Sequence, residues 1–446
     1  MIGLTSEGTP LRSTAEVAEF ARRCFEPGLP GAADRVGVEL EFLVFDRAAP
    51  AAHVPLARVE RALATLPGGD LTTLPGGSRV TFEPGGQIEL SGPAAPLPDA
   101  LARLAADVAA VRAALPAEGL VPAGVGLDPV RPARRQLRLP RYDAMAEFLG
   151  EPYGALMMCS TASVQINLDL GTRPAVRWER AHALGPVLLA AFANSPLSGG
   201  RPCGWMSGRQ AVWHHLDRTR TRPVPAWSVP SWPGPAWPGP ADLAARPSGL
   251  AAGPAGDPAG DWAEYLLDAR LMLVREGDGH CRPVRDGSTF RDWLEGGGER
   301  RPTAEDLAYH ATTVFPPVRP RGWLEIRYLD AQHPAAWPVC VAVTHALVTD
   351  DRAADAALAA VEPYRTGWEV AARCGLGDPR LRRAAEACFR AALEALPRLG
   401  AGPGLAGEVA AFADRHVAPG RSPAADLMDA APGRSVPDWL NGEGRQ

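Results

Sequence analysis

Polar and apolar residues alternate along four short stretches of the chain. Over residues 35–45, Val38, Leu40 and Phe42 alternate with Glu39 and Glu41, the period of two expected of a strand with one buried face. Residues 79–91 read as strand, Pro84-Gly85-Gly86 bend, strand, with Gln87 and Glu89 on one side. In 160–170, Val164, Ile166 and Leu168 oppose Gln165, Asn167 and Asp169; in 322–329, Leu324, Ile326 and Tyr328 oppose Glu325 and Arg327. A further strand pair is expected near 270–274 and 281–284. Helical spacing takes over at 14–24, with Ser13 as N-cap, and at 99–115, where Leu101, Leu104, Val108, Val111 and Leu115 share a face. Residues 175–192 predict one helix, and 335–416 an Ala-rich helical region.

Between about 222 and 260 this patterning stops. Pro, Gly, Ala and Trp dominate, with Trp227, Trp232 and Trp237 five residues apart. Proline at that density blocks helix and sheet interior alike. Length alone suggests about three domains. The patterning instead favours a single domain over 1–446, with this segment as an insertion rather than a boundary between two domains, and a surface tail after about 422.

Composition narrows the chemistry. The 446 residues carry a net charge of −5, and all 46 cationic residues are arginine. Without lysine, neither a Schiff base nor a Walker A phosphate loop can be built. Anions must be gripped by arginine, backbone amides or a metal. The slight acidity gives no support for nucleic-acid binding. No apolar run is long enough for a membrane span, and the acidic N-terminus does not read as a signal peptide. Seven cysteines without a CxxC pair suit free thiols in a reducing cytoplasm.

One polar stripe is an ordinary solvated sheet face. Several stripes of carboxylates and carboxamides are not, because neighbouring like charges destabilise a sheet unless something neutralises them. Glu39, Glu41, Glu83, Glu89 and Glu325 on one face would need divalent cations, and hard oxygen ligands suit Mg²⁺ or Mn²⁺. Gly85-Gly86 permit close backbone approach there, or simply make a hairpin bend. Arg209 is expected in the first turn of a helix starting near Ser207, where it can clamp a carboxylate, with Trp213 one turn on. His214, His215, Met157 and Met158 read as structural, the methionines as packing beside a strand.

The segments Val36–Phe42, Phe82-Glu-Pro-Gly-Gly-Gln-Ile-Glu-Leu-Ser91 and Ser163-Val-Gln-Ile-Asn167 resemble the plant-type glutamate–cysteine ligase family, in particular its bacterial ergothioneine-pathway members. Gly204-Trp-Met-Ser-Gly-Arg209, His310–Pro316 and Leu324-Glu-Ile-Arg327 extend the likeness. It implies an α+β fold, a curved, mainly antiparallel sheet backed by helices, as in glutamine synthetase and the guanidino kinases. It also implies a reaction: ATP phosphorylates the γ-carboxylate of glutamate, and the cysteine amine displaces phosphate to give γ-glutamylcysteine. By the same resemblance, Glu39, Glu41, Glu83, Glu89 and Glu325 hold the metal ions and Arg327 is catalytic. Arg209 binds a substrate carboxylate, and Gln165, Asn167, Gln87 and Trp213 complete the substrate-binding set. A related carboxylate–amine ligase with another acceptor, and a catalytically idle nucleotide-binding relative, are the alternatives. The residues selecting the acceptor, the metal count and the oligomeric state are left open.

Overall fold

A computed structural model describes residues 8–27, 34–66, 74–224, 256–276, 279–296 and 300–430. Seven strands form one antiparallel sheet: β1 (Arg35–Asp46), β2 (Arg79–Phe82), β3 (Ile88–Pro96), β4 (Leu120–Ala123), β5 (Ser163–Leu168), β6 (Val318–Pro320) and β7 (Leu324–Asp330). Their order is β6-β7-β5-β1-β3-β2, with β4 pairing the far end of β1. The expected alternation is what the sheet uses. Val38, Leu40, Ile88, Leu90, Val164, Ile166, Leu324 and Ile326 are all buried in the main hydrophobic cluster, while Glu39, Glu41, Glu89 and Arg327 on the other face keep some exposure.

Helices close the apolar face. The helix α1 (Thr14–Cys24) begins at Ser13, with Glu16 reaching back to the Ser13 N–H at 3.0 Å. The helix α2 (Leu97–Ala114) packs on β3 and β1 through Leu101, Leu104, Val108 and Val111. Two short helices, α3 (Pro140–Leu149) and α4 (Tyr153–Cys159), lead into β5. Then come α5 (Gly208–His215) and, behind β5, α6 (Trp337–Thr349), of which all but Pro338 is buried. This is the α+β, mainly antiparallel architecture expected. The expected small strand pair forms at Leu273–Arg275 and Cys281–Pro283.

Three expectations need correction. The helix expected over 175–192 is two, Pro174–Ala183 and Gly185–Ala191. The break puts Gly185 against Trp368, whose ring lies only 2.1 Å from where a Cβ would stand. Met157 and Met158 belong to α4 rather than to a strand flank. Residues Pro423–Ala430, expected as the start of a surface tail, form a helix with Ala424 and Leu427 buried. Residues 431–446 lie outside the described residues, as do 225–255 of the Pro/Trp-rich segment. Val224 and Ala259, on either side of that segment, are buried in the same hydrophobic cluster. All seven cysteines are free.

Candidate active site

The polar face of the sheet forms the floor of a cleft of about 250 Å³. Register assembles it. Glu41 pairs with Glu89 across β1 and β3, Glu39 with Gln165 across β1 and β5, and Glu325 with Asn167 across β7 and β5. Glu83 joins them through the Pro-Gly-Gly bend, where its N–H donates to Gln87 O at 3.0 Å and its carbonyl accepts from Gly86 N–H at 2.8 Å. Glycine is required twice in that bend. Gly86 has φ +89°, and a Cβ on Gly85 would stand 2.2 Å from the Cys159 carbonyl oxygen. The bend is thus pressed against the end of α4.

Carboxylate oxygens of Glu41, Glu83 and Glu89 lie within 4.8 Å of one another. Burial, then repulsion from Glu41 and Glu89, pushes the Glu83 carboxyl up to about 8. Burial also raises Glu41 and Glu89, although Ser163 N–H and Gln165 donate to Glu41 at 2.8 and 2.9 Å, and Thr81 donates to Glu89 at 2.6 Å. Carboxylates drawn this close favour a proton or a cation among them. Three hard oxygen donors without sulfur or imidazole fit a divalent ion such as Mg²⁺.

The other two expected metal ligands have different surroundings. Glu39 accepts from Asn167 at 2.9 Å and lies outside the close trio; burial, then Glu325 and Glu89, raises its pKa. Glu325 is gripped by arginines. Arg319 binds it bidentately at 2.5 and 3.0 Å, and Arg327 Nη1 donates at 2.9 Å. Burial alone would raise its pKa, but Arg319 and Arg327 hold it down to about 2.

Arg327 also donates to Gln165 Oε1 at 2.5 Å, leaving Nε without a partner among the described residues. Burial, which disfavours its charge, is outweighed by Glu325, Glu39 and Glu41. Arg209, 2% exposed, stands in the first turn of α5 as expected. Its Nη2 donates to the Arg327 carbonyl at 2.9 Å, and its guanidinium lies 4.5 Å from the centre of the Trp213 ring. Its Nε and Nη1 are buried and lack partners among the described residues. Gln87 donates to the Thr161 carbonyl at 2.9 Å, with its Oε1 unpartnered. Asn167 is turned to Glu39 and to Trp323, which donates to it at 3.1 Å, and does not line the cleft.

The cleft has further walls that strand patterning did not indicate. Tyr142 and Met145 of α3, Met157 and Met158 of α4, and Phe315 close one side. Arg319 lies on a three-residue strand between prolines, too short to show alternation, and pairing with Glu325 across β6 and β7 brings it in.

A family model described as "Glutamate-cysteine ligase family 2 (GCS2)" matches residues 35–234 and 251–443. The glutamate–cysteine ligase EgtA of Mycobacterium tuberculosis is 40% identical over 434 residues, covering 94% of this chain and 90% of that one. The chloroplastic glutamate–cysteine ligase of Medicago truncatula is 29% identical over 260 residues, 56% of this chain and 46% of its own. Among solved structures, a glutamate–cysteine ligase from Francisella tularensis in complex with AMP has a TM-score of 0.53 at 11% identity, covering 91% of this chain and 86% of that one. At that identity the likeness speaks to the fold.

Proposed function

This chain belongs to glutamate–cysteine ligase family 2, and from that we propose that the cleft joins the γ-carboxylate of glutamate to the amine of cysteine at the expense of ATP. In the first step an oxygen of the γ-carboxylate attacks the terminal phosphorus of ATP and ADP leaves. In the second the cysteine amine attacks the acyl carbon, the C–O bond to phosphate breaks, and the nitrogen loses a proton as the amide forms.

Glu41, Glu83 and Glu89 would hold Mg²⁺, with Glu39 beside them. Bound there, the ion supplies neutralising charge to the ATP phosphates. The remaining work falls to side chains of the chain itself. Arg209 offers two unpartnered N–H groups to the α-carboxylate of glutamate, its plane backed by Trp213. Arg327 is held beside the acidic trio by Glu325 and Gln165, where its positive charge meets negative charge developing on the transferred phosphoryl group. Arg319, bonded to Glu325 and the Val314 carbonyl, keeps Glu325 ionised and so anchors Arg327. Gln165 orients Glu41 and Arg327 together, and Gln87 has a free acceptor for a substrate N–H.

The observation that carries this reading is the confrontation of three uncompensated carboxylates with two arginines that retain free N–H groups. No lysine exists in the chain to take the phosphate-binding role. The test is a coupled assay with ATP, Mg²⁺, glutamate and a panel of amines. Cysteine should be the preferred acceptor, with one ADP and one phosphate released per γ-glutamylcysteine. Preference for another amine would make this a ligase of the same chemistry with a different acceptor. No turnover with any amine, while MgATP still raises the melting temperature, would indicate an idle nucleotide-binding relative. We propose further that the enzyme works in the cytoplasm and that its product feeds ergothioneine synthesis. Loss of ergothioneine from cells deleted for the gene, restored by added γ-glutamylcysteine, checks that placement.

A further inference from the structure

Asp330 ends β7, three residues beyond Arg327, and is 0% exposed. One oxygen accepts from Asn194 N–H and from Ser195 Oγ, each at 2.8 Å; the other accepts from Ser207 Oγ at 2.9 Å. The packing around it is closed: a Cβ on Gly126 would lie 2.6 Å from its Cγ.

A serine hydroxyl has one proton and two lone pairs. Because Asp330 takes the proton of both serines, their lone pairs are committed elsewhere, and both turn to the start of α5. Ser195 Oγ accepts from Arg209 N–H at 3.1 Å, and Ser207 Oγ, the N-cap, accepts from Gln210 N–H at 3.2 Å. The Ser195 carbonyl accepts from Gly208 N–H at 2.7 Å. An acceptor-only group is needed for this arrangement, since an amide in its place would present an NH₂ that competes with one of the donors. Asp330 therefore orients the turn from which the Arg209 side chain springs. Among carboxylates it is also the leading support for the Arg209 charge, which burial disfavours.

We propose that Asp330 is a positioning residue for glutamate binding: through Ser195 and Ser207 it holds the start of α5 so that Arg209 presents its free N–H groups to the substrate carboxylate. This rests on the reading of Arg209 given above. A carboxylate remote from the reacting atoms is bound equally in ground and transition states, so the effect falls on KM rather than kcat.

The test uses the full-length enzyme with MgATP and compares Asp330→Asn, Arg209→Gln and the double variant. Each single change should raise KM for glutamate about tenfold or more, the scale of one lost charged hydrogen bond. KM for ATP and kcat should stay within about threefold, and the double variant should match Arg209→Gln alone to within about twofold. If Arg209→Gln leaves KM for glutamate unchanged, the reading of Arg209 fails and this proposal with it. If only Arg209→Gln raises it, or if the two effects multiply, Arg209 keeps its role and the positioning role of Asp330 is overturned. A uniform loss across kcat and every KM would equally overturn it, as a structural effect. Should Asp330→Asn not fold, Ser195→Ala, which removes the link between Asp330 and Arg209 N–H, must raise KM for glutamate selectively; an unchanged KM then overturns the proposal.

Discussion

At the residue scale, charge decides what each group in the cleft can do. Arg327 is held by Glu325 and Gln165 beside the acidic trio, and on the proposed reading it acts in the transition state. Arg327→Ala should lower kcat by about 10²–10³, as for loss of a preorganised donor, with a smaller change in KM for glutamate. A change confined to KM would make it a binding residue. Among the described residues Glu89 has only Thr81 and Ser91 as donors, so Glu89→Gln should move the Mg²⁺ titration to higher concentration while the protein stays folded. An unchanged titration would take Glu89 out of the metal set. These residues were legible because carboxylates at spacing two on a strand share a face whatever the fold. Arg319 and Asp330 were not, since the first sits on a three-residue strand and the second is defined by loops far away in sequence.

At the scale of elements, the bend between β2 and β3 carries the site. Either a plain hairpin or a close approach of backbone was compatible with its glycines, and the structure shows the close approach. A methyl group at Gly85 meets the Cys159 backbone at the end of α4, which cannot move aside as a flexible side chain would. Gly85→Ala should therefore destabilise the protein by about 1–3 kcal/mol, measured by urea unfolding, and weaken Mg²⁺ dependence by shifting Glu83 away from Glu41 and Glu89. Unaltered stability would mean that α4 yields. The strands β1, β2, β3, β5 and β7, with α1 and α2, were readable to within about five residues because their periodicity is strict, whereas β4 and β6 are too short to show one. The division at Gly185 was missed although Gly185-Pro186 signals it: proline lacks the N–H that would continue a helix and suits the first turn of a new one, and the Trp368 indole fills the space beside Gly185.

At the scale of the whole molecule, the cleft stores charge that the fold alone does not neutralise. Glu83 is raised from 4.5 to about 8. A carboxyl raised in the folded state stabilises it while protonated, so that contribution is fully present below 4.5 and is lost as pH rises through about 8. Replacing Glu83 by glutamine removes this dependence. In metal-free protein, the melting temperature of Glu83→Gln minus that of wild type should accordingly increase across this window, and Mg²⁺ should reverse the trend at its alkaline end. A difference independent of pH would show that Glu83 is already ionised at low pH. Among the described residues no helix is long and apolar enough to cross a membrane. The sequence by itself determined which side chains face together along each strand, and that arginine must replace lysine throughout, since both depend only on local periodicity and composition. Tertiary structure alone decided which carboxylates meet. Register across β1 and β3, with the bend before β3, gathers Glu41, Glu83 and Glu89, whereas pairing of β6 with β7 surrounds Glu325 with arginine. Pairing between distant strands is a long-range choice that no local pattern encodes.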